Sequence, residues 1–289
     1  MPAKFPAEIG MPAHVPRPLE SPRWRRLAPL LDSPPDGASQ RRCERALLRA
    51  TPTSDLPLGL LPGGHPVRNL AGARAFLMLL DEASRLTEES LRESRLLRLG
   101  ASLTSVSSAP DSALARSMTA SLGPRGFELD WLATALAARR NESSRATFLT
   151  RRELGDHGLA ISGRAPLALA RAGGNASERA RVQSDALAQA AALGRELARL
   201  LSGWNRGCLF LALEDLNRHS VPATVLANSP PPIELKPVVL EHIAWLRGLL
   251  LKSRGLGRGL TSAARALIVA SGVSAELNMR RVELLGLRR

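Results

Sequence analysis

Residues 70–85 read Leu70-Ala71-Gly72-Ala73-Arg74-Ala75-Phe76-Leu77-Met78-Leu79-Leu80-Asp81-Glu82-Ala83-Ser84-Arg85. Leu70, Ala73, Leu77, Leu80 and Ser84 recur at spacings of three and four, which places them on one face of a helix. The same spacing rule, carried outward, organises most of the chain. A polar helix is expected around Glu88–Arg98, and Ser105–Asp111 is a loop by composition. Phe127, Trp131, Leu132, Ala135 and Leu136 mark a helix ending near Asn141. Thr150-Arg151-Arg152-Glu153 fits a capping box, with Thr150 as the cap and Glu153 reaching back, for a helix expected to run to Ala172. Val182, Ala186, Gln189, Leu193, Leu197 and Leu200 mark a long helix ending near Gly203. Val221–Pro232 is a proline-bearing connection. Val239, Ile243, Leu246 and Leu250 mark a further helix, and a last one covers Thr261–Ala270. No run alternates with the period of a strand, so the fold class is all-α.

Upstream of residue 67 the prolines Pro2, Pro6, Pro12, Pro16, Pro18, Pro22, Pro34 and Pro35 forbid long helices, apart from a short one at Gln40–Arg49. The expected organisation is a Pro/Arg-rich, partly disordered lead-in over 1–42, a helical domain over 43–281 and a basic tail over 282–289. The chain carries a net charge of +14, nearly all of its basic residues being arginine. Such a surface suits phosphates, anionic lipid or nucleic acid. Nucleic acid is the weaker expectation, because the arginines are spread along the chain rather than gathered into one stripe. Two cysteines, Cys43 and Cys208, are too few for a disulfide scaffold and are expected to be free buried thiols. The five histidines show no metal-ligand spacing. Gly255-Leu256-Gly257-Arg258-Gly259 lacks the lysine and the strand–turn–helix context of a phosphate loop and reads as a connection. Met1–Glu20 has no apolar signal core, so a cytoplasmic location is expected, peripheral at the membrane or mitochondrial in a eukaryotic source.

Asn205-Arg206-Gly207-Cys208-Leu209-Phe210-Leu211-Ala212-Leu213-Glu214-Asp215-Leu216 resembles a segment of the squalene/phytoene synthase family, Arg-Gly-Arg-x-Tyr-Leu-Pro followed by a Glu-Asp-Leu helix start. Leu61-Pro62, Ala75-Phe76 and Asp81-Glu82 are similar to that family's Leu-Pro and Tyr-Ala-Phe-x-Arg-x-x-Asp-Asp-x-x-Asp. Ala138-Arg139-Arg140 with Glu142, and Thr150, Glu153, Leu154, His157 and Gly163, echo two further pieces in the same order. The resemblance implies a single-domain isoprenoid-synthase-like helical bundle around a central cavity. In that family two prenyl diphosphates are held between facing helices by Mg2+ on aspartates spaced i and i+4, which share a helix face. By the same resemblance the metal remnants are Asp81 and Glu82, and the substrate-binding positions are Phe76, Arg85, Arg199, Arg206 and Phe210. The departures are large. Arg85 stands where a third carboxylate belongs, Met78 and Arg74 where the family has arginine and tyrosine, and Arg199 and Gly203 at the two aspartate positions of the second motif. Glu88 and Glu89 are candidates for shifted replacements, but they lie two turns on. An arginine is a permanent cation with donors only and cannot ligate Mg2+.

The expected function is that of a relative that has lost Mg2+-dependent prenyl transfer, acting as a lipid-binding or assembly protein like the family's non-catalytic respiratory complex I assembly branch. Its partners would be a prenyl diphosphate or other isoprenoid lipid, the membrane periphery or a protein under assembly. The alternatives are an active prenyltransferase joining two prenyl diphosphates head to head, with Mg2+, and an arginine-rich nucleic-acid-binding protein.

Overall fold

The computed structural model describes residues 21–50, 65–86, 88–142, 147–201, 209–222 and 233–286. Helices run in the order α1 (Pro22–Leu27), α2 (Pro29–Asp32), α3 (Ser39–Ala50), α4 (Pro66–Asn69), α5 (Ala71–Ser84), α6 (Glu89–Ser105), α7 (Ala113–Ser121), α8 (Leu129–Asn141), α9 (Arg151–Ile161), α10 (Ala165–Ala172), α11 (Glu178–Leu201), α12 (Leu213–Arg218), α13 (Lys236–Lys252) and α14 (Ser262–Gly286). The fold is all-α, as the periodicity implied. The one sheet among the described residues is a short parallel pair, β1 (Thr147–Phe148) with β2 (Leu209–Ala212), too brief to leave an alternating pattern.

The long helix α11 is the axis of the bundle. It packs against α14, α13, α9 and α10, while α5 packs against α7, α3, α6 and α8. The core has two parts. One gathers α1–α8 and α10 around Phe76, Phe127 and Leu79. The other gathers β1, β2, α13 and the C-terminal halves of α11 and α14 around Phe148, Phe210 and Leu246.

Five expectations are corrected. Residues 21–42, assigned by their prolines to the lead-in, form α1, α2 and the start of α3, and Trp24, Leu27 and Leu30 are core residues. Proline at the first helical positions of α1 and α2 starts these helices rather than preventing them. The Arg95 guanidinium lies 3.9 Å over the Trp24 ring, which fixes α1 to α6. The helix from Thr150 does not run to Ala172. It breaks at Ser162–Arg164, where Gly163 and Arg164 have φ of +55° and +51°, because Pro166 at the start of α10 has no N–H to continue the ladder. The polar helix after Glu88 extends to Ser105, and α7, with its Ser112 cap, was not expected. The last helix reaches Gly286 and buries Val282, so residues 282–286 continue the helix rather than forming a separate tail. Thr150 does cap α9, its hydroxyl accepting from the Glu153 N–H, but the Glu153 carboxylate reaches the Leu149 N–H rather than that of Thr150. Cys43 is buried and free, with its thiol pushed up to about 11 by burial. Cys208, Leu61 and Pro62 lie outside the described residues.

The second core carries a buried polar pair that predicts a pH dependence. His242 and Asp215 are both fully buried, with His242 Nδ1 3.6 Å from Asp215 Oδ2. Burial lowers the His242 pKa from its ordinary 6.5, and the attraction of Asp215 only partly offsets it. The folded protein therefore holds neutral imidazole where the unfolded chain takes a proton. The stability tied to this group is complete above pH 6.5 and is lost progressively as pH falls below 6.5 towards the depressed value. Chemical denaturation across that window should show His242→Leu with a flatter pH dependence than the native chain. An unchanged slope would count against this origin.

Candidate functional site

On α5, Arg74, Leu77, Met78 and Asp81 recur at spacings of three and four, and all four line one cavity of about 260 Å³. Opposite them, α11 contributes Ala188, Ala191 and Arg195 at the same spacing. Arg23 of α1, Ile161 and Ser162 at the helix break, Leu169 of α10 and Leu267 of α14 complete most of the wall. The Gly163 kink brings the chain against Leu77, since a Cβ there would meet the Leu77 side chain at 2.6 Å. The break in the helix thus shapes the cavity.

Asp81 and Arg199, at the first and second motif positions, face each other between α5 and α11. Arg199 Nη2 donates to Asp81 Oδ1 at 3.0 Å and to Oδ2 at 2.9 Å. Arg85 Nη2 donates to Oδ2 at 2.6 Å, and Arg139 Nη2 to Oδ1 at 2.8 Å. Both carboxylate oxygens are therefore held by guanidinium groups of the chain itself. Burial alone would raise the Asp81 carboxyl, but the charges of Arg199, Arg85 and Arg139 outweigh it and hold it well below the usual carboxylate range. Glu82 does not turn towards the cavity with Asp81. It accepts from Ser21 Oγ at 2.5 Å and from Arg85 Nη1 at 2.7 Å, so it anchors the start of α1.

Arg139 is the hub. Its side chain is 1% exposed and bonds three carboxylates: Asp81, Glu142 at 2.8 Å and Glu196 at 2.9 Å. Burial opposes its charge, yet Glu142, Glu196 and Asp81 raise its pKa above the ordinary arginine value. Glu196, fully buried one turn before Arg199, also accepts from Arg199 Nη1 at 2.6 Å. Burial would raise Glu196, and Arg139 and Arg199 lower it. Glu142 in turn bonds His157 Nε2 at 3.0 Å. Arg85, Arg139 and Arg199 pair with Asp81, Glu82, Glu142 and Glu196. Arg23, Arg74 and Arg195 line the cavity wall, with Arg23 Nη1 3.8 Å from Glu82 Oε1. Burial lowers the Arg74 guanidinium to about 10, which still leaves it charged at neutral pH. Arg195 is lowered by burial and by the neighbouring Arg199 and Arg139, against the pull of Asp81, and makes no ion pair within 4.0 Å among the described residues.

This donor set does not fit Mg2+. A hard divalent cation needs several oxygen ligands that are free to turn to it. Here every Asp81 oxygen already accepts from an arginine, Glu82 and Glu196 point into ion pairs, and four guanidiniums surround the position. Glu88 and Glu89 sit exposed at the start of α6, where Glu89 pairs with Arg92.

Phe76 and Phe210 do not line this cavity. Phe76 is off the cavity face of α5 and fully buried in the first core. Phe210 lies in the second core, its ring 5.9 Å from His157 and 6.1 Å from Phe148. Arg85 and Arg199 belong to the ion-pair network beside the cavity rather than to its wall. Arg206 and Gly203 lie outside the described residues. The sequence reading missed Arg195, Arg74 and Arg23 as cavity cations and Arg139 and Glu196 as network members. Arg195 carried a usable signal, since it precedes Arg199 by one turn on the same face.

No family model matches this chain, and no curated protein does. Among solved structures it is similar to squalene synthase HpnC from Alicyclobacillus acidocaldarius, with a TM-score of 0.71 and 12% identity over 86% of this chain and 95% of that one. It is also similar to a dehydrosqualene synthase solved in complex with a ligand, with a TM-score of 0.68 and 17% identity over 88% of this chain and 86% of that one. The chain has the all-helical fold of these synthases.

Proposed function

We propose that this chain uses the squalene-synthase fold as a binding cavity without metal-dependent prenyl transfer, and holds one anionic isoprenoid-type lipid in it. The observation that carries the reading is the capture of both Asp81 oxygens by Arg199, Arg139 and Arg85. Where the resemblance would have two carboxylate clusters drawn together by metal, here a carboxylate faces arginines and the two helices are joined directly. The cavity supports the rest. Arg195, Arg74 and Arg23 provide donors suited to a phosphate head, and Leu77, Met78, Ile161, Leu169 and Leu267 provide an apolar wall for a chain. At about 260 Å³ the cavity is slightly smaller than small-molecule sites, which run from roughly 300 to 1,000 Å³. That size favours one ligand over two substrates to be joined.

Calorimetric titration of the full chain with farnesyl phosphate should detect binding that persists in a metal chelator. Arg195→Gln should weaken it about tenfold or more, the cost of losing a charge-assisted hydrogen bond. Incubation with farnesyl or geranylgeranyl diphosphate and Mg2+ should yield no joined hydrocarbon. Formation of that product, or binding abolished by the chelator, would overturn the proposal in favour of the prenyltransferase alternative. In that case Arg85→Asp with Arg199→Asp should enhance an activity already present.

A further inference from the structure

The outer face of α14 is apolar without being covered. Val269, Val273, Leu277 and Leu284 are each more than half exposed, and they share one side of the helix at spacings of four, four and seven. The opposite side of α14 packs on α11 through Leu267, Ala275 and Met279. Next to it, α13 leaves Leu240 and Leu251 exposed, and Arg247 joins the two helices by pairing with Glu276 and Glu283.

The charge along these two helices has a positive excess. From Lys236 to Leu284 eight Lys/Arg residues stand against three Glu, an excess of five positive charges. All three acids are engaged: Glu241 by Arg151, Arg218 and His219, and Glu276 and Glu283 by Arg247. Exposed Lys252, Arg254, Arg258, Arg265 and Arg281 have no such partner among the described residues.

We propose that the α13–α14 face docks on an anionic lipid bilayer, with the aliphatic stripe at the headgroup boundary and the arginines on anionic headgroups. Two observations choose this occupant. An apolar stripe on a helix flanked by Lys and Arg suits the membrane interface. A second copy would bring the same positive excess against itself. No helix among the described residues is long and apolar enough to cross a membrane, so the contact is one of surface docking. The inference is independent of the cavity reading.

The test is co-sedimentation of the full chain with vesicles of phosphatidylcholine alone and of phosphatidylcholine with phosphatidylglycerol. Binding is expected to the second only, and it should weaken as ionic strength rises. Val273→Asp with Leu277→Asp, at exposed positions that leave the core intact, should reduce the partition coefficient by about tenfold or more. The equivalent change at Leu97, an exposed leucine on α6, should not. Absence of binding to anionic vesicles, or equal binding by the double variant with its helicity and melting temperature unchanged, overturns the proposal. So does self-association in sizing experiments that the double variant abolishes, because the face would then belong to a second copy. Cavity binding of farnesyl phosphate is measured without vesicles, so the two readings fail separately.

Discussion

Replacing Arg139 by alanine is expected to destabilise the protein by about 3–5 kcal/mol, the range for breaking a buried charge cluster from one side. The side chain is almost wholly buried and donates to Asp81, Glu142 and Glu196, which come from three different helical regions. Removing it leaves three carboxylates in a low-dielectric setting with one less cation, and each must either stay charged at a cost or take up a proton. Arg139→Lys should recover only part of the loss, because an ammonium cannot reproduce the planar fork that spans separate carboxylates. Urea denaturation of the three proteins at neutral pH measures this. A loss below about 1 kcal/mol, the level of a solvated surface pair, would show that water screens the cluster and that Arg139 is not its hub. The prediction concerns interdependence, not net benefit. Exchanging the entire cluster for apolar residues of similar volume is a different experiment with a different expected sign.

Gly72→Ala should be the second severe change, with a loss of about 2–3 kcal/mol. In a free helix this substitution stabilises, since glycine is about 0.8–1.0 kcal/mol worse than alanine in a helix interior. Tertiary packing reverses the sign. A Cβ at Gly72 would lie 2.3 Å from the Ser117 carbonyl carbon and 2.4 Å from the Met118 nitrogen, both backbone atoms of α7. No rotamer change relieves a clash with backbone, so α5 and α7 would have to separate and open the first core. Gly248 in α13 is the matched control. Nothing lies within 4 Å of a Cβ placed there, so Gly248→Ala should be neutral or stabilising. If both changes raised stability, the close approach of α5 and α7 would be wrong. That would weaken the placement of Asp81, which rides on the same helix.

Much of the architecture was legible in the order of residues alone. The spacing of Leu70, Ala73, Leu77 and Leu80 gave the helix that carries Asp81, and Val182 to Leu200 gave the helix that carries Arg199. Helix periodicity is a local property that needs only a few neighbouring turns, which is why it survives in a sequence with so few recognisable motif residues. The departures at Arg85 and Arg199 were also legible, but that both guanidiniums reach Asp81 was not. Prolines misled where they begin helices, at Pro22 and Pro29, because the same ring that interrupts a helix interior is well suited to its first turn.

The order of residues thus fixed the long helices α5, α8, α11 and α13 and the charges they carry. Which of those charges meet was set by packing. Arg139 and Arg199 reach Asp81 across 58 and 118 residues of chain, and no periodicity encodes a partner at that range. Packing also separated arginines that look alike in sequence: Arg85, Arg139 and Arg199 bond Asp81 beside the cavity, whereas Arg195, Arg74 and Arg23 line its wall. The physical reason is that a guanidinium's role depends on the carboxylates within a few ångströms of it, and those distances are created by helix packing rather than by the chain's own order.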